Sequence, residues 1–269
     1  MNNPGDAKTA EFLLSTATLM IGPQADVMAL NPTDHSLGLV KNVTAEYSPT
    51  FVELTQGITA QTVMSVNTAS QSKISAEVYE YNATNLAYGA GLDGSTVSTP
   101  NPLKSYALET AIAGGGVSVA LVAGKGADWA IGNYGVLADT TQPDRIHVFK
   151  VSGIATDTLT VDAAYAIPTT GGDDAWPVAT TVIYLVNSIG VGGVVAQPTF
   201  GAKIVGVMPD NGEPVTLIFP KVKITKGLSL AFQTKDFSSM PFELQPYALL
   251  PTDPFYADFG SKTWKVLRR

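Results

Sequence analysis

The chain has 269 residues, of which 45% are hydrophobic and only 14% charged, with a net charge of −7. It holds no cysteine and only two histidines, His35 and His147, which excludes disulfide stapling, thiolate metal sites and multi-histidine zinc centres. The acidic total argues against a surface built to grip phosphate backbones, and so little charge on so long a chain favours a protein whose faces are covered in an assembly.

Near the start, Phe12-Leu13-Leu14 follows Asp6 and Glu11 and lacks a basic stretch ahead of it, so it does not read as a secretory leader. No apolar run reaches the ~18 residues that cross a bilayer as a helix. Both readings lead to the expectation of a protein made and kept in a cytoplasm. A long polar hairpin is predicted between Val43 and Val63, bending at Ser48-Pro49 and at Gln56-Gly57, with a strand over Val63 to Val66. Farther on, Ile74, Ala76 and Val78 alternate with Glu77, Tyr79 and Tyr81, the period of a half-buried strand. Asn82 then caps a helix running from Ala83 to about Ala90 and stopping at Gly91. A second short helix fits Tyr106 to Ile112.

Glycine runs at 114–116 and 190–193 bracket a stretch of turn-bounded strands: Ser118 to Val122, Trp129 to Ile131, Ile146 to Ile154, Thr158 to Val161 and Thr181 to Val186. This predicts a small β-barrel, 113–197, inserted at a surface loop of a parent domain made of 1–112 and 198–269. In the parent domain Ile204 to Val207, Val215 to Phe219, Val222 to Ile224 and Leu228 to Phe232 read as further strands, with Pro220 and Pro241 at starts or edges. The expected fold class is all-β with one short helix: a β-sandwich or open barrel plus the inserted small barrel.

No constellation for catalysis emerges. Gly89-Ala-Gly-Leu-Asp-Gly94 has dinucleotide-fingerprint spacing but closes a helix instead of opening one. Gly124-Lys-Gly126 lacks the rest of a phosphate loop. The acidic doublet Asp173-Asp174 beside Trp176 would suit a cation or a sugar, but the favoured reading is a solvated loop anchored by a half-buried tryptophan. His147, alternating with Ile146 and Val148, reads as a surface residue facing away from its strand's apolar side. No catalytic, cofactor-binding or metal residue is assigned, and the protein is not expected to be an enzyme.

Charge is unevenly distributed. Residues 1–112 carry 10 acidic and 4 basic groups (−6), 113–197 carry 7 and 3 (−4), and 198–269 carry 6 and 9 (+3). Identical units stacked head to tail would set acidic against basic surface, and Lys221 and Lys223, on one face of a strand, are candidates for such an inter-subunit contact.

The segments Lys41-Asn-Val-Thr-Ala-Glu-Tyr-Ser-Pro-Thr-Phe-Val-Glu-Leu-Thr-Gln-Gly57 and Ile74-Ser-Ala-Glu-Val-Tyr-Glu-Tyr-Asn-Ala-Thr-Asn-Leu-Ala-Tyr88 carry a resemblance, as do the later runs Phe219-Pro-Lys-Val-Lys-Ile-Thr225 and Met240-Pro-Phe-Glu-Leu-Gln-Pro-Tyr247. Together they resemble the tail tube protein of long-tailed bacteriophages. The resemblance implies hexameric rings stacked into a hollow virion tail, with the inserted barrel as outward decoration and DNA in transit without specific binding. It also implies tape measure, terminator and baseplate proteins as partners. By the same resemblance the hairpin reaches the next ring, which makes Ser48, Pro49, Phe51 and Glu53 candidate contact residues. Alternatives are the tube protein of a type VI secretion system, which shares that fold, and a carbohydrate-binding or adhesive β protein, suggested by Trp129, Tyr134 and Trp176.

Overall fold

A computed structural model describes residues 17–56, 61–94, 104–168, 175–192, 196–208, 212–232 and 236–268. About 50% of it is strand and 11% helix, and the strands form two sheets, so the fold class is all-β. The chain divides into two compact units near 97/98 and 190/191.

The first unit is built on an antiparallel sheet in the order β1 (Ala17–Pro23), β10 (Phe200–Val207), β11 (Pro214–Lys226), β12 (Met240–Pro246), β3 (Gln61–Val78) and β2 (Val40–Gln56), with β13 (Lys265–Arg268) also paired to β11. Alternation puts Leu19, Ile21, Ile74, Val78, Ile204, Val222, Phe242 and Leu244 on one buried face. The other face is covered in part by a smaller cluster of Met20, Val27, Leu30, Ile218, Leu249 and Phe259, near the single-turn helices α1 (Pro32–His35) and α3 (Tyr256–Phe259).

Helix α2 (Ala83–Gly89) closes the main core. Its N-cap is Asn82, whose Oδ1 accepts from the Asn85 backbone N–H at 2.7 Å, and Gly91 beyond its end takes φ 77°. Asn85 is fully buried and donates to the carbonyls of Leu37 and Glu80, both at 2.9 Å, tying two loops to the helix. Tyr88 meets Phe200 edge to face at 5.5 Å. The backbones touch at Gly89 and Gly227, where a Cβ on Gly227 would lie 2.6 Å from the Gly89 Cα, so Gly227 admits no side chain without a backbone shift, and a Cβ on Gly89 would sit tightly at 3.2 Å from the facing backbone.

The second unit's sheet runs β4 (Ser105–Ala107), β9 (Thr181–Val186), β6 (Tyr134–Asp139), β7 (Ile146–Ala155), β8 (Thr158–Val161) and β5 (Ser118–Ala120). Its two ends meet through an antiparallel bridge between Leu108 and Leu121, with the Glu109 N–H donating to the Ala120 carbonyl at 3.0 Å. The sheet therefore curls around its own core of Leu108, Val119, Leu137, Phe149, Leu159 and Trp176, and a ring closed in this way leaves few free edges.

Several expectations change. Tyr106 to Ile112 is not helical: Ser105–Ala107 is β4, bonded to β9, and Tyr106, Leu108 and Ile112 are buried in the second core. The boundary drawn at 112/113 accordingly moves back to 97/98. Ser48-Pro49 is no bend, because β2 runs straight through it, and Leu228 to Phe232 forms no strand. Pro220 lies inside β11, where the ladder to β10 shifts register between Phe200 and Ala202.

Candidate functional site

β2 and β3 are 17 and 18 residues long, but only Ile74–Val78 of β3 pairs with β12. From Ser48 and Gln71 outward the two strands pair only with each other, so nine residues of β2, Ser48–Gln56, project about 30 Å as a free ribbon. Every described residue of this arm is exposed. Two-stranded ribbons are marginal in water without a partner surface.

The arm has a definite chemistry. Val52 faces Val66 and Leu54 faces Met64 across the ladder, so four aliphatic side chains form a stripe on one face, with Leu54 62% exposed. Glu53, whose Oε2 accepts from the Thr62 hydroxyl at 3.1 Å, lies opposite Ser65 on the other face with Phe51. Among the described residues β2 pairs with β3 alone, so its outer edge has no strand partner.

Ser48, Pro49, Phe51 and Glu53 thus belong to one exposed element. Lys221 and Lys223 do not join them. Lys221 Nζ is 2.6 Å from Asp253 Oδ2 within the same chain, and Lys223 stands opposite Gln245 on β11. Sequence reasoning passed over Val52, Leu54, Met64 and Val66, although their i, i+2 spacing was there to be read as an apolar face.

At the arm's base the sheet has an open polar face. A cleft of about 440 Å³ is lined there by Glu46, Gln71, Lys73, Thr225, Glu243 and others. Lys73 and Lys226 flank Glu243 at 3.0 and 3.7 Å, and the hydrogen bond from Lys73 holds the Glu243 carboxyl below its usual range. Lys73 and Lys226 thus share the one Glu243 carboxylate on this face.

The second unit disposes of the remaining sequence candidates. His147 shares the inward parity of Phe149 and Val151, with Nε2 2.9 Å from the Tyr165 carbonyl, so the ring donates there. Ile146 and Val148 face solvent instead, which reverses the expected orientation of that strand. Phe149 and Val151 set the parity because they fill the core. Trp176 is fully buried beneath Arg145, whose guanidinium lies 4.5 Å from the ring and 3.2 Å from Asp139, so it offers no stacking platform. Asp173 and Asp174 lie outside the described residues. At Gly124-Lys-Gly126 the backbone N–H groups are taken by the Asp157 carboxylate at 2.8 and 2.9 Å. No group of three metal-ligating side chains occurs among the described residues.

No known protein-family model matches this chain, and no curated protein sequence matches it significantly.

Proposed function

We propose that this protein is the repeating subunit of a phage-type tail tube, closing into hexameric rings that stack into a hollow conduit for DNA. The single observation that carries the reading is the arm. A ribbon about 30 Å long, free on both edges and striped with Val52, Leu54, Met64 and Val66, gains stability only when another surface covers it. Identical neighbours supply such a surface at every copy, and heterologous contacts between identical copies generate rings or filaments. The same reading makes tape measure, terminator and baseplate proteins the partners at the tube's ends, and the virion tail the location.

No chemistry is required of such a subunit. The open polar face around Lys73, Glu243, Lys226 and Glu46 suits a wall past which nucleic acid moves, since Lys73 and Lys226 are held by Glu243 and the acidic groups beside them weaken a grip on phosphate. Negative-stain microscopy and sedimentation velocity of the purified chain test the reading. Rings or tubes are expected at raised concentration, and a monomer at every concentration would overturn it.

A further inference from the structure

The aliphatic stripe of the arm has a counterpart on the body of the same chain. At the edge of the main core lies an opening of about 270 Å³, and every residue lining it is apolar or glycine. Val43 and Ala45 enter the lining from β2, and Gly206, Leu217 and Val266 from β10, β11 and β13. Trp264, stacked on Phe219 at 5.2 Å, belongs to it as well. A dry cavity of about 150 Å³ accepts a benzene ring, so this opening has room for two aliphatic side chains.

The arm carries side chains of that kind at a matching interval. Its two rungs, Val52 opposite Val66 and Leu54 opposite Met64, stand two residues apart along the ladder, about 7 Å. The wall of the opening repeats that step, because Gly206 pairs with Val215 and Ile204 with Leu217. An arm cannot reach the opening of its own chain. β2 runs unbroken from Val40 to Gln56, which puts Val52 about 24 Å past Ala45 on a single strand. Charge favours an approach between chains: among the described residues of the arm Glu53 is the one charged side chain, whereas β13, at the rim of the opening, carries Lys265 and Arg268.

We propose that the arm of one copy docks in this opening on a second copy, seating Leu54 and Met64 inside it and laying Val52 and Val66 against its rim. The inference rests on the tube reading and names the surface that the arm meets. Each chain then offers one arm and one opening, two different patches, so the contact is heterologous: every copy both gives and receives, and association continues past the dimer.

Because the protein has no cysteine, disulfide trapping reads the contact directly. Four full-length variants combine Leu54→Cys or Met64→Cys with Val43→Cys or Val266→Cys, are oxidised at raised concentration, and are run without reductant. At least one is expected to give a ladder of covalent dimers, trimers and larger species, since each copy holds one thiol on its arm and one in its opening. Leu54→Cys/Ile131→Cys controls for chance collision, Ile131 being 70% exposed in the second unit, and should give no ladder. An equal ladder from the control, a fast-migrating monomer, or no ladder from any of the four in samples that form rings or tubes would overturn the proposal and leave the tube reading standing. A parent chain that stays monomeric at every concentration would overturn both. A second measurement avoids engineered thiols. Trp129 and Trp176 are 6% and 0% exposed, so acrylamide quenching reports mainly on Trp264. Quenching is expected to fall as the parent chain associates and to stay unchanged in Leu54→Ser/Met64→Ser, and parent particles that form without protecting Trp264 would overturn the proposal.

Discussion

Lys221 Nζ lies 2.6 Å from Asp253 Oδ2, in a pair whose side chains are only 16% and 17% exposed. The same carboxylate accepts from the Leu250 backbone N–H at 2.7 Å, so Lys221 anchors the 249–259 segment to β11 instead of waiting for a partner subunit. Lys221→Glu would leave two carboxylates facing each other in a largely dehydrated place. We expect a loss of about 2 kcal/mol or more in denaturant unfolding of the monomer. Lys223→Glu, on the open face opposite Gln245, should stay within about 0.5 kcal/mol of the parent. Equal losses would mean that the Asp253 pair contributes nothing.

The arm separates folding from assembly. Leu54→Ser/Met64→Ser removes the centre of the aliphatic stripe at exposed positions that face only each other across the ladder, so unfolding free energy should change by no more than about 1 kcal/mol. Sedimentation should show self-association weakened or lost. Removing Ser48 to Thr55 alone would unbalance the ladder, because each of those residues has a partner on β3. A shortened arm must lose both strands equally and be rejoined by an Asn-Gly turn. Normal tubes from either variant would take the arm out of the assembly.

Much of this was legible in the sequence. The Asn82 cap and the Gly91 stop framed α2 because both are local signals, and Ile74 to Val78 alternates as read. The central strand β6 was not legible. Tyr134-Gly-Val-Leu-Ala-Asp139 carries at its second position a glycine that single-sequence reading scores against a strand, yet Gly135 is there because Phe149 and Trp129 lie against it. The parity of Ile146 and Val148 was misread for a similar reason. Which face of a strand is buried depends on the neighbours across the ladder, and one strand's alternation fits either face. In the arm, the expected contacts Ser48, Pro49, Phe51 and Glu53 do share one element, while Lys221 looked free only because Asp253 is 32 residues away.

The unit boundary can be tested by excision. Replacing 98–190 with a short Gly/Ser linker removes the whole second sheet, and the remaining chain should unfold cooperatively as a soluble domain. Replacing 115–193 instead would strand Tyr106, Leu108 and Ile112, all buried in the second core, without their partners. That version should bind ANS and aggregate. The opposite ranking would put 104–112 with the first unit.

Two pH limits follow from the second unit's hydrogen bonds. Asp157 accepts from the Gly126 and Gly124 N–H groups, and Asp139 from the Thr141 hydroxyl and N–H, which lowers both carboxyls below their ordinary range. Their stabilisation is present above the unfolded-state value near 4 and fades as pH falls through the lower folded values. Burial, followed by the hydrogen bond to Asp128, raises Tyr106 to about 12. Its contribution is intact below about 10 and is lost as pH climbs from there to the folded value. Near-UV circular dichroism of Trp129 and Trp176 should report both transitions. Tyr106→Phe should remove the alkaline contribution and leave the acid one, so an unchanged alkaline transition would assign that limit to another group.

Gly135 offers the sharpest test of the second core. A Cβ there would come within 2.3 Å of Phe149 Cζ and 2.8 Å of the Trp129 ring, and those rings are buried and stacked at 5.8 Å. Gly135→Ala gains backbone rigidity in the unfolded state, worth about 0.4–1 kcal/mol where space allows. Here space does not allow it, and overpacking costs about 1–3 kcal/mol, so the net effect should be destabilising with altered Trp129 fluorescence. Gly190→Ala is the control, because nothing lies within 4 Å of a Cβ at that position, and it should be neutral or slightly stabilising. A stable Gly135→Ala with native fluorescence would mean that β6 does not run beneath that aromatic stack.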